Sequence, residues 1–279
     1  MRSARLAAAA SALAALALLA PASGVAQFRG GEFLNIPPRF MPGAPLDRDF
    51  FVCRMMYERV RVEQAGGGWR TDYPYGEINL SIRFAELTKT RVSMSEDRRE
   101  PNHYVVALTD DTLFECPFLL ASDVGTVGLT PPEQEGLRQY LLKGGFLWVD
   151  DFWGSAAWEQ WETEISNVLD PEKYPIRDVA LTDPILHAQF TVTEIPQITN
   201  IGFWRRSLGA ETSERGPDST EAHFRTIRDS HGRVMVVMTH NTDVADSWER
   251  EGEDPAFFFQ FSPPGYALGI NVLLYAMTH

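Results

Sequence analysis

Cysteine is nearly absent: 279 residues hold only Cys53 and Cys116. No Cys-x-x-Cys and no His-x-x-x-His spacing occurs, so a zinc site has no ligand frame. Basic charge is also scarce. Lys and Arg number 25 against 38 Asp and Glu, a net charge of -13. Nothing on such a chain would neutralise phosphates, which excludes nucleic acid as a partner. It also argues against an anionic membrane surface. Past the first 20 residues, no apolar run reaches the roughly 20 residues that a membrane span needs. There is no internal repeat and no low-complexity tract after the leader.

The apolar run that does exist is the leader. Arg2 and Arg5 form a basic start, and residues 6–20 are Ala and Leu with one Ser. Pro21 breaks the run, and Gly24-Val25-Ala26 offers small residues to a signal peptidase. This reads as a secretory signal peptide of bacterial type, cut near Ala26. The expected location is periplasmic or secreted, with no transmembrane segment after cleavage. No cysteine stands at the cut, so a lipoprotein is not expected. Loss of Arg2 and Arg5, with no acid, takes the net charge from -13 to -15.

Oxidising conditions permit a disulfide between Cys53 and Cys116, each near the start of a predicted strand. Two buried thiols are the other reading. Neither cysteine lies at a strand-to-helix turn, so a cysteine nucleophile is not expected.

Residues 27–46 carry Gly30-Gly31, Pro37-Pro38, Pro42 and Pro45 and read as an extended lead-in. The folded part is expected over 47–279. Residues 50–62 read as a first strand, and a helix follows Pro74 with Ile78, Ile82 and Ala85 on one face. Residues 91–95 and 104–108 are short strand candidates, and 110–114 a helical turn. Residues 118–121 form a fully apolar strand. Thr130-Pro131-Pro132-Glu133 is a capping box with prolines at the first helical positions. Gly144-Gly145 closes that helix. Residues 146–149 make the next strand, and Ser155 is a candidate cap for the next helix. Residues 224–228 and 234–239 flank a turn at Asp229-Ser230-His231-Gly232, a hairpin signal. Pro263-Pro264 is expected to open a last helix over 267–277. Short strands alternating with helices predict an α/β fold with a parallel sheet covered on both faces.

The stretch Leu137-Arg138-Gln139-Tyr140-Leu141-Leu142-Lys143-Gly144-Gly145-Phe146-Leu147-Trp148-Val149-Asp150-Asp151 resembles the hallmark of the bacterial domain of unknown function 4159 family. Trp69, Asp72-Tyr73-Pro74, Asn79, Asp183-Pro184-Ile185-Leu186-His187, the stretch from Asn241 to Trp248 and Gly269-Ile270-Asn271-Val272 agree in order. The resemblance implies a flavodoxin-like fold akin to class I glutamine amidotransferases, and no established activity. Amidotransferases use a cysteine at a strand-to-helix elbow, which this chain lacks. A Gly-His-Gly-like turn is usual after residue 121, where this chain has Asp123-Val124-Gly125.

Ligands of open α/β sheets sit at the carboxyl ends of the strands. Asp72, Tyr73, Asp123, Asp150, Asp151, Trp153, His187, His240, Asn241 and Asp243 are all expected near that edge. Asp150, Asp151, Asp123 and His187 are the catalytic candidates. Asp72, Tyr73, Trp153, His240, Asn241 and Asp243 are the ligand-binding ones. Adjacent residues on a strand point to opposite faces, so at most one of Asp150 and Asp151 faces a ligand. The plain alternative is that either acid caps the following helix. No cofactor is expected; a divalent metal held by Asp and His is the alternative. The chain reads as a non-catalytic binding or scaffolding domain for a polar small molecule, a glycan or a periplasmic protein. The alternative is a carboxylate- or metal-dependent hydrolase of a glycan or other polar substrate.

Overall fold

The computed structural model describes residues 36–43, 47–64, 66–97 and 99–279. The signal peptide and its cut near Ala26 lie outside the described residues.

Val52, Cys53, Arg54 and Met55 are all buried, so strand β1 (Val52–Met56) has no solvent side. The expected strand over 50–62 breaks at Tyr57. Its hydroxyl turns inward to the carbonyls of Ser122 and Asp123, at 2.7 and 2.8 Å. The exposed pair β2 (Glu58–Arg59) then leaves the main sheet and pairs with β5 (Val127–Gly128). Helix α1 (Tyr75–Thr88) buries Ile78, Leu80 and Phe84. Residues 91–95 make only isolated bridges, Val92 to Phe50 and Met94 to Pro101, and form no strand. β3 (His103–Ala107) and β4 (Leu119–Ser122) follow.

Helix α2 (Pro131–Leu142) has its capping box formed, with Thr130 and Glu133 bonded reciprocally. Gly144, at φ 110°, ends it in a conformation that suits glycine. β6 (Leu147–Phe152) runs two residues past the acids' start, through Asp150 and Asp151. Helix α3 (Gly154–Val168) is not capped by Ser155. Asp218, from a distant turn, accepts from the Ser155 N–H and hydroxyl at 2.9 and 3.1 Å. β7 (Arg177–Asp178), α4 (Ile201–Arg206), the hairpin β8 (His223–Arg228) and β9 (Val234–His240), and α5 (Asp246–Glu249) complete the middle.

The last helix, α6 (Pro255–Thr278), starts well before the expected position, with Asp254 capping Ala256 and Phe257. Pro263 and Pro264 lie inside it. A proline removes the bond to the carbonyl four residues back. Those carbonyls belong to Phe259 and Gln260, both exposed, so water can satisfy them.

The seven-stranded sheet has the order β3-β1-β4-β6-β9-β8-β7. The run from β3 to β9 is parallel, and β8 is antiparallel to both its neighbours. Taken in chain order, the parallel strands lie 2-1-3-4-5, the flavodoxin-like arrangement. One core joins the sheet to α2 and α3 through Leu137, Tyr140, Trp161 and Ile165. The other joins it to α1, α5 and α6 through Leu80, Phe84, Trp248 and Phe257.

Two devices close the β3 side. The Cys53 N–H bonds to the Phe118 carbonyl, bringing Cys116 beside β1, and the two cysteines form a disulfide. At the edge itself, the Arg39 carbonyl accepts from the Val105 N–H at 2.8 Å, and Phe40 bridges Val105 in parallel. No helix among the described residues is long and apolar enough to cross a membrane.

Candidate functional site

The carboxyl ends of β4, β6 and β9 meet the loop before α1 along one edge. Four residues there adopt left-handed backbone: Asp72 (φ 65°), Asp123 (φ 54°), Asp151 (φ 53°) and Asn241 (φ 61°). Asp and Asn visit that region more readily than other side-chain-bearing residues. Such strain concentrates where a fold aims side chains at something.

Asp150 and Asp151 part company here. The pairing of β6 with β9 shifts between Val149 and Phe152, a bulge that re-aims one of them. Asp150 turns inward. It accepts from the Thr239 hydroxyl at 2.5 Å and from the Ala245 N–H at 2.8 Å. Its work is to hold the loop after β9 against the sheet. Burial pushes its carboxyl up to about 6, against the pull of those two donors.

Asp151 turns outward into a narrow cleft shared with Asp123, Trp153, Glu63, Glu214, Arg215 and Asp243. The Trp153 indole N–H donates to Asp151 Oδ1 at 2.9 Å. Asp123 accepts from the Gly68 N–H at 2.7 Å. Gly66 packs so close that a Cβ there would stand 2.3 Å from Asp123 Oδ2. Burial raises the Asp123 carboxyl to about 6, with the Gly68 bond opposing.

One grouping is Asp72, Asp151 and Asp243, which offer one carboxylate oxygen each within 4.8 Å of one another. They come from three separate segments. Asp72 accepts from the Ser122 hydroxyl at 2.8 Å, and Asp243 from the Asp246 N–H at 2.9 Å. Burial, then Asp246, lifts Asp72 to about 7. Burial, then Asp72, holds the Asp151 carboxyl well above the usual range. Burial, then Asp151 and Asp72, does the same to Asp243. Like charges this close cannot all ionise cheaply without a cation.

A second acidic grouping, Asp72 with Asp246 and Glu249, already has its cation. Arg250 Nε lies 3.3 Å from Asp246 and 2.8 Å from Glu249. Asp151 and Asp243 have no arginine or lysine ion pair among the described residues, and Asp72 feels the Arg54 charge, which pulls its carboxyl down, across Ser122. The first grouping differs in that Asp151 and Asp243 have no such partner and line the cleft. Its donors are all hard oxygens, which suit magnesium, calcium or manganese.

The other sequence candidates go elsewhere. Tyr73 is buried, and its hydroxyl accepts from the Arg39 N–H at 3.0 Å. His240 is 3.0 Å from the Gly154 carbonyl through Nε2 and lies against the rings of Phe152 and Trp158. Burial lowers it to about 4, so it is neutral and structural. Asn241 Oδ1 accepts from the Gly154 N–H and its amide donates to the Glu221 carbonyl, so both ends serve the fold. His187 bonds the Leu181 carbonyl through Nε2 and lines a different groove, beside Leu274 and Tyr275. Glu63, Glu214 and Arg215 were absent from the sequence reading. They sit in irregular loops and carry no motif.

A family model for a domain of unknown function (DUF4159) matches residues 58–277. The chain belongs to this family. The DUF4159 match takes in Asp72, Asp123, Asp151 and Asp243, while Cys53 and Arg54 precede it. No curated protein matches the chain.

Proposed function

We propose that this DUF4159 protein is an exported binding domain that takes one divalent cation at Asp72, Asp151 and Asp243. The observation that carries the reading is the convergence of three buried or half-buried carboxylates, two of which, Asp151 and Asp243, have no ion-pair partner among the described residues. Burial first, and then repulsion from neighbouring acids, raises their proton affinities, and a 2+ ion would offset both by pairing with the charged forms. Asp151 and Asp243 line the cleft together with Asp123, Glu63 and Glu214. A bound ion with open positions would then take oxygen atoms of a polar ligand or partner at the mouth. The Cys53–Cys116 disulfide supports an oxidising compartment, as does the leader. It also leaves neither thiol for glutaminase chemistry.

The test is terbium luminescence on the mature protein. Trp153 bonds Asp151 directly, so a lanthanide at the site would be sensitised by its indole. Emission displaced by calcium, magnesium or manganese, and weakened at least tenfold in Asp151→Asn and Asp243→Asn, is expected. No binding of any of these ions at millimolar concentration would sink the reading. A hydrolase is the second reading, favoured by Asp123 and Asp151 lining one cleft. Turnover of a glycan or ester that Asp123→Asn abolishes, without loss of ion binding, would select it.

A further inference from the structure

Behind the carboxylate grouping lies a fully buried polar chain. Arg54 and Glu77 are paired with no solvent exposure of either side chain. Arg54 Nη1 donates to the Ser122 hydroxyl oxygen at 2.8 Å. Ser122 in turn donates to Asp72 Oδ2 at 2.8 Å. A serine hydroxyl has one proton. Arg54 can only donate, so it takes one lone pair of the Ser122 oxygen and leaves that proton to Asp72. The Ser122 backbone is also fixed. Its carbonyl accepts from Tyr57, and its strand pairs it with Asp150.

We infer that Ser122, oriented by the buried Arg54–Glu77 pair, is a positioning residue that fixes which Asp72 oxygen faces the cation. This rests on the cation-binding reading above. Ser122 holds Oδ2, which leaves Oδ1 as the oxygen without that bond. Asp72 needs such a hold because its backbone is in the left-handed region, outside any strand or helix. Partners behind a metal ligand commonly govern affinity as strongly as this.

The experiment compares wild type, Ser122→Ala and Ser122→Thr in the terbium titration, with calcium competition and a thermal melt of each. Ser122→Ala should fold and lose about tenfold in cation affinity, within the range seen when such supporting partners are removed. Ser122→Thr keeps the hydroxyl and should recover most of the loss. Unchanged affinity in Ser122→Ala overturns the inference. So does a folded Ser122→Thr that binds no better than the alanine variant. If threonine does not fold, the carboxyl carbon signal of Asp72 by NMR replaces it. Lost affinity with a shifted Asp72 signal supports the positioning role, and lost affinity without that shift refutes it. A wild-type protein that binds no cation refutes the cation reading itself, and the Ser122 role falls with it.

Discussion

In the metal-free protein, stability should fall as pH rises from 5 to 8. Asp72 titrates near 7 in the fold against 3.8 for the free side chain. Asp123 titrates near 6 against the same 3.8. A raised folded pKa means the fold holds a proton that the unfolded chain has already released. The stabilisation is complete below about pH 4 and is lost as pH climbs through 6 and 7. Each unit is worth about 1.4 kcal/mol, so above pH 5 Asp72 alone accounts for about 3 kcal/mol and Asp123 for about 1 kcal/mol. The two share a charged neighbourhood and do not simply add. Even a net loss of about 3 kcal/mol would lower Tm by roughly 6–12 °C for a chain of this size. The assay is a set of thermal melts at pH 5, 6, 7 and 8, in EDTA and in saturating calcium or manganese. The decline should appear in EDTA and largely vanish with the ion, because the ion replaces the protons. A Tm that stays level or rises across this range in EDTA would refute the reasoning.

Four further outcomes follow from the fold. Replacing Cys53 and Cys116 by alanine opens a loop of 63 residues. The chain-entropy model puts the loss at about 4 kcal/mol, read as a drop in Tm of roughly 8–16 °C by calorimetry. Gly136 is mid-helix, where alanine usually gains about 1 kcal/mol. Here a Cβ would stand 1.9 Å from the Leu108 carbonyl oxygen, so Gly136→Ala should instead lower the urea midpoint. Asp150→Ala strands the buried Ala245 N–H and should cost about 1–3 kcal/mol in urea unfolding. His187→Ala, at an exposed turn, should stay within about 0.5 kcal/mol and leave cation affinity unchanged.

The sequence disclosed most where a signal was local. Thr130 and Glu133 lie three residues apart, and Gly144-Gly145 follows one helix later, so α2 could be bounded from the chain alone. The apolar strand leading into Asp150-Asp151 was legible for the same reason. What strand alternation could not supply is the bulge that turns Asp151 into the cleft, since pairing with β9 creates it from residues almost 90 positions away. The cap of α3 is similar: Ser155 looked sufficient, yet Asp218 does the work across 63 residues. Pro263 and Pro264 misled because proline normally marks a boundary. Whether a freed carbonyl faces water depends on which side of α6 the fold buries. Asp254-Pro255 carried the true start signal, an N-cap followed by proline at the first helical position. His187 followed a tidy turn motif, but its turn packs near the far end of α6, away from the acids.

The strap formed by Arg39 and Phe40 has a consequence for the protein's life in a crowded compartment. A parallel sheet whose outermost strand is left bare offers its free N–H and C=O groups to any passing chain. Here the strand at risk, β3, is shielded by a stretch that belongs to none of the principal strands or helices. A protease that clipped just beyond Phe40 would expose that edge and turn each molecule into a template for the next.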